Sequence, residues 1–431
     1  MKNRLLALLL IVLMMLCAAC PAYADAPAWL SVAGTSQYVL AANADGARFL
    51  LGEELPMTIP PNRNLRLSVL DKTTGASRAL YFAEDPNLEL LAHSMLYLNA
   101  KVQDEATRTA LIEKNGGAAA VVMRAGWCGW PRLAGTGGNY MLLYSAAMSC
   151  YARVDTRTGE TLYLDASAAC VGPDGSVLFR SRDMSGMWLL KPDTAKAEAF
   201  PLATAKGGVI VPFSMCLLSD GSVWLIEYVT RAEQPQVEGK NVLVRDVFFV
   251  HYGADGRELR RVEAGGLARV PDTLFFSEQT GAGVAYSPQY AMCSPMWTFA
   301  GGDDTAKALL VKSLTPPALY RAERDAAVDE LGYPLSEVRA LVPLGIAADG
   351  ARLLLYDTES AHLLALDLQT LEADILMTNV QLEALYDEKE AEHRFLMHLT
   401  MLSWNGGDLL CGRSNPGGCA LQIPYTGMFS K

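Results

Sequence analysis

Several features that would point directly to an enzyme or a metalloprotein are missing from this chain of 431 residues. Histidine is scarce, with five residues in all, and none is spaced as in the His-Glu-x-x-His pair that holds zinc on one helix face. There is no Gly-x-Ser-x-Gly nucleophile turn and no Gly-x-x-x-x-Gly-Lys-Ser/Thr phosphate loop. The sequence therefore predicts no metal site and no cofactor, and it identifies no catalytic residue.

Positive charge is also in short supply. The chain has 36 Lys and Arg against 47 Asp and Glu, a net charge of −11, and its basic residues form no stripe. Binding to nucleic acid or to an anionic membrane surface depends on basic patches, so neither is expected as a partner. Beyond the N-terminus no apolar run reaches the roughly 18 residues that a membrane-spanning helix needs.

Residues 1–24 have the pattern of a secretory signal peptide. A basic start precedes an apolar stretch over residues 5–16, and a small-x-small cleavage site ends at Ala24. A second interpretation places the processing site at Cys20, because Ala-Ala-Cys resembles the end of a bacterial lipoprotein signal, although Cys17 stands where that pattern has an aliphatic residue. Both interpretations predict a secreted or extracytoplasmic protein. Contact with a membrane is expected only if Cys20 is lipidated, which would anchor the protein to the cell envelope.

Seven cysteines follow the signal segment, and an odd number leaves at least one thiol outside any intramolecular disulfide. Most of them lie in or beside apolar runs, where Cys usually behaves as a small buried hydrophobe. Cys411 and Cys419 differ, because they flank a turn-rich loop of sequence Gly-Arg-Ser-Asn-Pro-Gly-Gly that brings its ends together easily. These two residues are the candidate disulfide.

Asp-Gly pairs set between apolar runs are the most informative feature that is present. Asp and Gly tolerate the positive φ of a tight hairpin, so each pair predicts a turn between two strands. A second turn type, Asp-x-x-Thr, follows several of them after about one more hairpin. The Asp-Gly pairs are Asp45-Gly46, Asp174-Gly175, Asp220-Gly221 and Asp349-Gly350, and the clearest turns of the second type begin at Asp155 and Asp367.

Together the two turn types outline a degenerate four-stranded unit, and such a unit repeated along a chain indicates a β-propeller. We expect an all-β fold of about seven four-stranded blades, although six or eight would also fit, in one domain over residues 25–431. A strand is predicted at Ala120-Val-Val-Met123, and ring closure is predicted to pair the strand 37–42 with C-terminal strands. Short helical insertions are predicted near residues 85–116, 316–333 and 379–398.

Trp127-Cys-Gly-Trp130-Pro is the most unusual local run in the chain. Two tryptophans in a turn bounded by Gly and Pro can form an aromatic platform for a sugar or a peptide, since Trp supplies a large contact area with a polar edge. The alternative is that one or both pack between blades. Trp127 and Trp130 are therefore the candidate ligand-binding residues.

The strand, Asp-Gly, strand, Asp-x-x-Thr units resemble those of WD40-like and YVTN-type propellers of secreted bacterial proteins. This resemblance implies the fold and the binding of proteins or small ligands on a propeller face, and it implies no catalytic residue. The leading hypothesis is a non-enzymatic binding or assembly module for a protein or glycan ligand. The alternative is a glycan-active hydrolase or lyase with its site at the propeller funnel, because propellers also carry such chemistry. A third is a surface lipoprotein of envelope maintenance.

Overall fold

The computed structural model describes part of the chain, mainly as strands with three helices, and the account below is confined to that part. The described residues are 28–31, 37–55, 64–82, 86–125, 127–128, 131–146, 149–184, 186–202, 208–212, 214–234, 236–237, 240–241, 243–267, 270–286, 296–308, 341–347, 349–357, 362–378, 380–382, 402–411 and 419–425. The predicted signal peptide, Cys20 and the predicted insertion near 316–333 lie outside them. So does the predicted insertion near 379–398, apart from a helical turn at 380–382.

The strands are short, as is usual for blades. In chain order, strands β1 to β15 are Ala28–Ser31, Gln37–Ala42, Arg48–Glu54, Asn64–Asp71, Ser77–Ala79, Tyr81–Phe82, Trp127–Cys128, Pro131–Gly137, Tyr140–Ser145, Cys150–Asp155, Glu160–Leu164, Ala166–Val171, Val177–Ser181, Met187–Leu190 and Glu198–Phe200. Strands β16 to β33 are Val209–Ile210, Cys216–Leu217, Val223–Thr230, Gln236–Val237, Lys240–Asn241, Arg245–Tyr252, Glu258–Leu267, Thr273–Ser277, Ala282–Tyr286, Met296–Ala300, Lys307–Ala308, Leu341–Ile346, Arg352–Asp357, His362–Asp367, Ala373–Met377, Leu402–Trp404, Asp408–Cys411 and Cys419–Pro424.

These strands form a β-propeller, which confirms the predicted fold class. Six antiparallel sheets follow one another along the chain, and we number them as blades 1 to 6: β2–β5, β8–β11, β12–β15, β16–β18 with β21 and β22, β23–β26, and β27–β30. Strand β6 adds a parallel outer strand to blade 2, and β7 pairs with the end of β4. A seventh sheet, blade 7, consists of β31, β32, β33 and β1.

Blade 7 joins the two ends of the chain. Strand β1 lies antiparallel to β33, with Ala28 opposite Gln422 and Ser31 opposite Cys419. The predicted pairing between strands from the two ends of the chain is therefore present. The prediction that strand 37–42 makes this pairing was wrong. That segment is the innermost strand of blade 1, and the shorter strand β1, before it in the chain, completes the ring.

The core is divided among the blade boundaries. Seven buried apolar clusters are present in the described residues, one at each boundary between neighbouring blades. For example, Tyr151 of blade 2 packs with Val177 of blade 3, and Val39 of blade 1 packs with Leu410 of blade 7. Each sheet therefore buries both of its faces, which explains the near-continuous apolar strands in the sequence.

Three helices are inserted between blades 1 and 2: α1 (Pro86–Ala100), α2 (Glu105–Lys114) and α3 (Ala118–Ala125). Asp104 caps α2, because its carboxylate accepts the Thr107 N–H at 2.7 Å. The strand predicted at 120–123 was wrong, since those residues belong to α3. Ala118, Val121 and Val122 are buried at helical spacing, and this tertiary packing outweighs the β-propensity of the two valines.

Within the described residues no helix is long and apolar enough to cross a membrane.

Candidate functional site

The propeller has two unlike faces, which we call the turn face and the insertion face. The turn face carries the connections from first to second and from third to fourth strand of each blade, and the insertion face carries all other connections. No connection on the turn face exceeds seven residues, and every predicted Asp-Gly pair is a turn there. The longest connections, 83–130, 231–244, 309–340 and 378–401, all join strand ends at the insertion face.

Local hydrogen bonding explains why the turns are tight. The Asp174 carboxylate accepts the Ser176 N–H at 2.8 Å, and Gly175 has a φ of 92°, which favours glycine. A Cβ on Gly175 would also approach the Gly137 carbonyl to 2.9 Å. The same carboxylate-to-backbone bond recurs at Asp220 and Asp349.

Polar contacts at the turn face tie neighbouring blades together. Most of them use the turn residues that follow the first strand of a blade. They include Arg48 Nη1 to Asn139 Oδ1 at 3.2 Å, Tyr140 OH to Asp193 Oδ1 at 2.9 Å, Ser219 N to Glu278 Oε1 at 2.9 Å, Ser277 Oγ to Gly350 O, Tyr425 OH to Asp349 Oδ2 at 2.9 Å, and Asn405 Nδ2 to Asn43 O at 2.7 Å. These contacts link six of the seven blade boundaries, all except that between blades 3 and 4.

The insertion face carries raised elements. The helices α1–α3 stand over the boundary of blades 1 and 2 and share its core. On blade 4, the connection 231–244 contains a small hairpin of β19 and β20. Arg231 fixes the base of this hairpin, because its guanidinium pairs with Asp246 at 2.7 Å and packs over Gly266, which has no side chain. Blade 3 lies between the helices and this hairpin, and its connections on the insertion face are short.

A cleft on the insertion face separates α1 from blades 2 and 3, and we call it the saddle. Leu90 and Ser94 of α1 line one wall, and Asp165 and Arg182 line the other. Arg182 Nε contacts Asp165 Oδ1 at 2.8 Å, and both side chains are partly exposed. Leu90 is 55% exposed, as is Met184, two residues beyond Arg182. The enclosed volume is about 40 Å³.

Strained backbone lies next to the saddle, in the chain segments adjoining Cys150 and Arg182. Ser149 and Met184 have φ values of 49° and 62°, in a region that residues other than Gly rarely adopt. The two turns are linked, since Arg182 Nη2 donates to the Ser149 carbonyl at 2.6 Å. Strain of this kind is retained only where the surroundings hold it in place, and it is concentrated at functional sites.

The mouth of the central channel, where the innermost strands begin on the insertion face, carries an opposite-charge pair. The innermost strands of the seven blades contain one charged residue, Arg132 of β8, and Asp272 immediately precedes β23 of blade 5. Burial raises the pKa of the Asp272 carboxyl, and the Thr273 hydroxyl and the charge of Arg132 partly oppose this. No carboxylate lies within those described innermost strands.

Of the two tryptophans predicted to bind a ligand, Trp127 lies within the described part of the chain. Trp127 is 3% exposed and packs against Tyr163 with ring centroids 6.2 Å apart, inside the core that the helices share with blades 1 and 2. This burial favours the packing alternative for Trp127 over an exposed platform. Trp130 lies outside the described residues.

The structure describes the side chains of only some of the cysteines for which predictions were made. Cys150 and Cys170 are buried and lie outside any disulfide, as expected of small hydrophobes, and burial raises the pKa of the Cys216 thiol to about 12. Cys411 and Cys419 lie on the adjacent strands β32 and β33, but their side chains are outside the described residues. The disulfide between them stays a prediction.

Blade 4 contains two polar networks, one buried and one partly buried, that the sequence did not reveal. In the first, the fully buried Glu227 carboxylate accepts the Tyr252 hydroxyl at 2.6 Å and Arg261 Nη2 at 3.1 Å. Arg261 also donates to Glu258 at 2.6 Å. Burial, with a further contribution from Glu227, raises the pKa of Tyr252. Every polar group here has a partner, which is what makes the buried charge tolerable.

The second network surrounds His251, which lies in strand β21 as predicted. Its ring stacks on Trp224 at a centroid distance of 4.7 Å, and its Nε2 lies 2.9 Å from Ser222 Oγ. Ser222 Oγ in turn donates to Asp220 Oδ1 at 2.6 Å. Asp220 contacts Ser222 rather than the imidazole, so the arrangement lacks the order of a catalytic triad and stabilises the Asp-Gly turn.

The positions of these residues in the sequence gave little basis for predicting the saddle or the channel mouth. Leu90, Ser94 and Tyr97 are spaced four and three apart, so their shared helix face was visible in principle. Arg132 and Asp272 are 140 positions apart, and their charges influence each other only because the ring arranges blades 2 and 5 around one channel. Tertiary placement of this kind leaves no local pattern.

No protein-family model matches the sequence, and no curated protein matches it. Among solved structures, the chain is similar to the Kuenenia stuttgartiensis hydrazine synthase, with 10% identity over 79% of this chain and 78% of that chain and a TM-score of 0.37. It is also similar to TolB from Acinetobacter baumannii, with 13% identity over 88% of this chain and 81% of that chain and a TM-score of 0.34. A third similar structure is Porphyromonas gingivalis dipeptidyl peptidase 4, with 11% identity over 81% of this chain and 54% of that chain and a TM-score of 0.37. These likenesses concern the fold alone.

Proposed function

We propose that the protein is a non-enzymatic, extracytoplasmic binding or assembly module of the WD40-like or YVTN-type propeller class, and that it engages a protein ligand through the insertion face. The observation that carries this proposal is the asymmetry of the two faces. Short, hydrogen-bonded turns rigidify one face, and the long connections gather on the other. Binding residues are found preferentially on loops held by a rigid scaffold.

The shape of the saddle favours a protein ligand over a small molecule. Small-molecule pockets usually enclose several hundred Å³, and the saddle encloses about 40 Å³. It instead offers the exposed apolar side chain of Leu90 beside the partly exposed Asp165–Arg182 pair, and the turn that follows Arg182 adds the exposed Met184. An apolar centre with a polar rim is the usual composition of a protein interface. A glycan ligand is the second class that the sequence suggested.

The enzyme alternative receives less support. Glycoside hydrolysis generally needs two carboxylates about 5 to 10 Å apart. The described innermost strands offer none, and the charge that acts on Asp272 at the mouth is that of Arg132. A hydrolase or lyase with its site at the funnel remains the outcome to which a failed binding test would point.

The test is capture of the tagged protein from its native envelope fraction after mild crosslinking, with variants on each face. Deleting 85–116 would expose shared core, so point changes are preferable. We expect the double variant Leu90→Glu, Met184→Glu to lose a partner that the unmodified chain retains, because it places charge in an apolar interface. Arg257→Glu, on the turn face with a side chain 85% exposed, is the matched control and should retain it.

Two results would count against the proposal. Loss of the partner with Arg257→Glu and not with the saddle variant would move the binding surface to the turn face. A capture with no partner, together with glycan cleavage that depends on Asp272, would favour the enzyme alternative.

A further inference from the structure

Two pairs of neighbouring blades are held together by strong polar contacts. Between blades 2 and 3, the Arg153 guanidinium donates to the Lys191 and Thr194 carbonyls at 2.8 and 2.6 Å. Between blades 4 and 5, the Ser219 hydroxyl and backbone N–H both donate to the Glu278 carboxylate. Each pair of blades therefore forms one tightly linked unit.

The boundary between these two units, which we call the seam, is held by apolar packing. Its buried residues include Ala168, Cys170 and Met187 of blade 3 and Ile210, Leu217 and Val250 of blade 4. The four turns of these blades at the turn face are all described, and no hydrogen bond or ion pair joins those of one blade to those of the other: 172–176 and 191–197 in blade 3, and 218–222 and 253–257 in blade 4.

Pro173 explains why this link is missing. It precedes the Asp of its Asp-Gly pair, the position that Ser219 has in blade 4. Ser219 contacts the next blade through its N–H and its hydroxyl, and a proline has neither group. The Pro173 carbonyl instead accepts the Gly138 N–H of blade 2 at 2.9 Å. The polar contacts of this turn therefore run to blade 2 and not to blade 4.

The seam also contains a buried donor without an acceptor. Arg180 lies between Ala168 and Met187 in the sheet of blade 3, and both neighbours belong to the seam, so the three side chains share one face. Arg180 Nη1 is buried and has no hydrogen-bond partner among the described residues. Burying a charged donor in this way costs free energy that is recovered when water reaches it. Separation of the two blades hydrates Arg180, which favours opening.

We propose that the ring opens locally at the seam between blades 3 and 4, and not at blade 7, where the two ends of the chain meet. Blade 7 is tied on both sides, through Tyr425 to blade 6 and through Asn405 to blade 1. The saddle lies between α1 and blades 2 and 3, so its walls are all on one side of the seam and keep their spacing as it opens. The opening is a property of the ring and does not depend on the proposed ligand.

The test measures how fast the Cys170 thiol becomes accessible in the full chain. Cys170 is 7% exposed within the seam, so N-ethylmaleimide can reach it only when the seam opens or the whole protein unfolds. Peptide mass spectrometry follows its labelling across a series of low urea concentrations. We expect labelling that is faster than global unfolding and nearly independent of urea, because local opening exposes little surface. Labelling at the rate of global unfolding, with its steep urea dependence, would overturn the proposal.

Two variants locate the opening. Arg180→Met removes the unsatisfied donor and should slow the labelling of Cys170 about tenfold. Glu278→Ala is the matched control, because it removes the link between blades 4 and 5 and should leave the rate at Cys170 unchanged. The global unfolding rate of each variant, measured in the same urea series, separates a change in overall stability from a change at the seam. An unchanged rate in Arg180→Met, or a severalfold faster rate in Glu278→Ala, would also overturn the proposal.

Discussion

At the scale of single residues, the most demanding feature is the Glu227 carboxylate, which is fully buried and held by Tyr252 and Arg261. Removing one partner of a buried ion pair leaves an uncompensated charge, which typically costs about 3–5 kcal/mol. We expect Arg261→Met to lower the free energy of unfolding by about that amount, as measured by urea titration. Arg257→Met removes an arginine that is 85% exposed and should have almost no effect. Equal effects at both positions would show that the buried pair contributes little.

His251 gives the protein a sensitivity to acid. Burial lowers the pKa of its imidazole, and the charge of Asp220 only partly opposes this. The unfolded chain therefore takes up a proton near the ordinary pKa of about 6.5, and the folded chain does so only at lower pH. The contribution to stability is complete above pH 6.5 or so and is lost as the pH falls through the folded-state pKa.

We expect the melting temperature of the unmodified protein to fall between about pH 7 and pH 5, and to fall less in His251→Phe, which keeps an aromatic ring against Trp224. Scanning calorimetry across this range measures both slopes. If the variant has the same slope, the acid sensitivity has its origin in other groups.

At the scale of elements, the inserted helices are part of the core and not an appendage. Leu88 of α1 is fully buried against blades 1 and 2, and Leu90 on the same helix is 55% exposed at the saddle. Leu88→Ala should lower the free energy of unfolding by about 2–5 kcal/mol through lost burial and the cavity left behind. Leu90→Ala removes the same atoms from a half-exposed site and should change it by less than about 1 kcal/mol. Chemical denaturation of the two variants makes the comparison.

A large effect of Leu90→Ala, similar to that of Leu88→Ala, would mean that the α1 wall of the saddle is packed in solution. The saddle would then not be open to a partner.

The same scale shows what the sequence could predict. Asp-Gly turns are specified by residues next to each other, so the turns at Asp45, Asp174, Asp220 and Asp349 were all identified correctly. The α2 cap at Asp104 is equally local. The strand expected at 120–123 failed because its apolar residues fit both a strand and a helix, and only packing under α1 selects the helix.

The candidate site was beyond reach of such reasoning. Arg182 and Asp165 meet Leu90 only because the α1–α3 insertion lies beside blade 3, and sequence separation hides this. Trp127 attracted notice as an unusual residue, yet its burial depends on the helices that cover it. Tertiary packing decides which residues the ring leaves uncovered, and local sequence patterns do not show which these are.

At the scale of the whole molecule, ring closure depends on strand β1. Removing residues 25–31 deletes the outer strand of blade 7 and leaves β33 with an unpaired edge. We expect this variant to unfold at a lower temperature than a chain lacking only 25–27, which keeps β1 intact. Adding a synthetic peptide of residues 25–31 should recover part of the loss, because the peptide can pair with β33. Differential scanning fluorimetry measures the melting temperatures of the two deletion variants and of the longer deletion with the peptide added.

Equal melting temperatures for the two deletions would show that blade 7 is stable with three strands, and that the seven boundary clusters hold the ring together without β1.

Because β1 pairs with β33, the first strand of the propeller to be synthesised waits for the last one. Blades 1 to 6 each have their strands within one stretch of chain and can assemble in order during synthesis, whereas blade 7 has no partner for β1 until residue 424 has emerged. A chain cut short near its end is therefore left with an open sheet edge, where proteases and foreign strands gain access. Closure of the ring thus requires that both the first and the last strand of the propeller have been synthesised. Two incomplete rings held at high concentration would also be able to exchange their first strands and form a dimer.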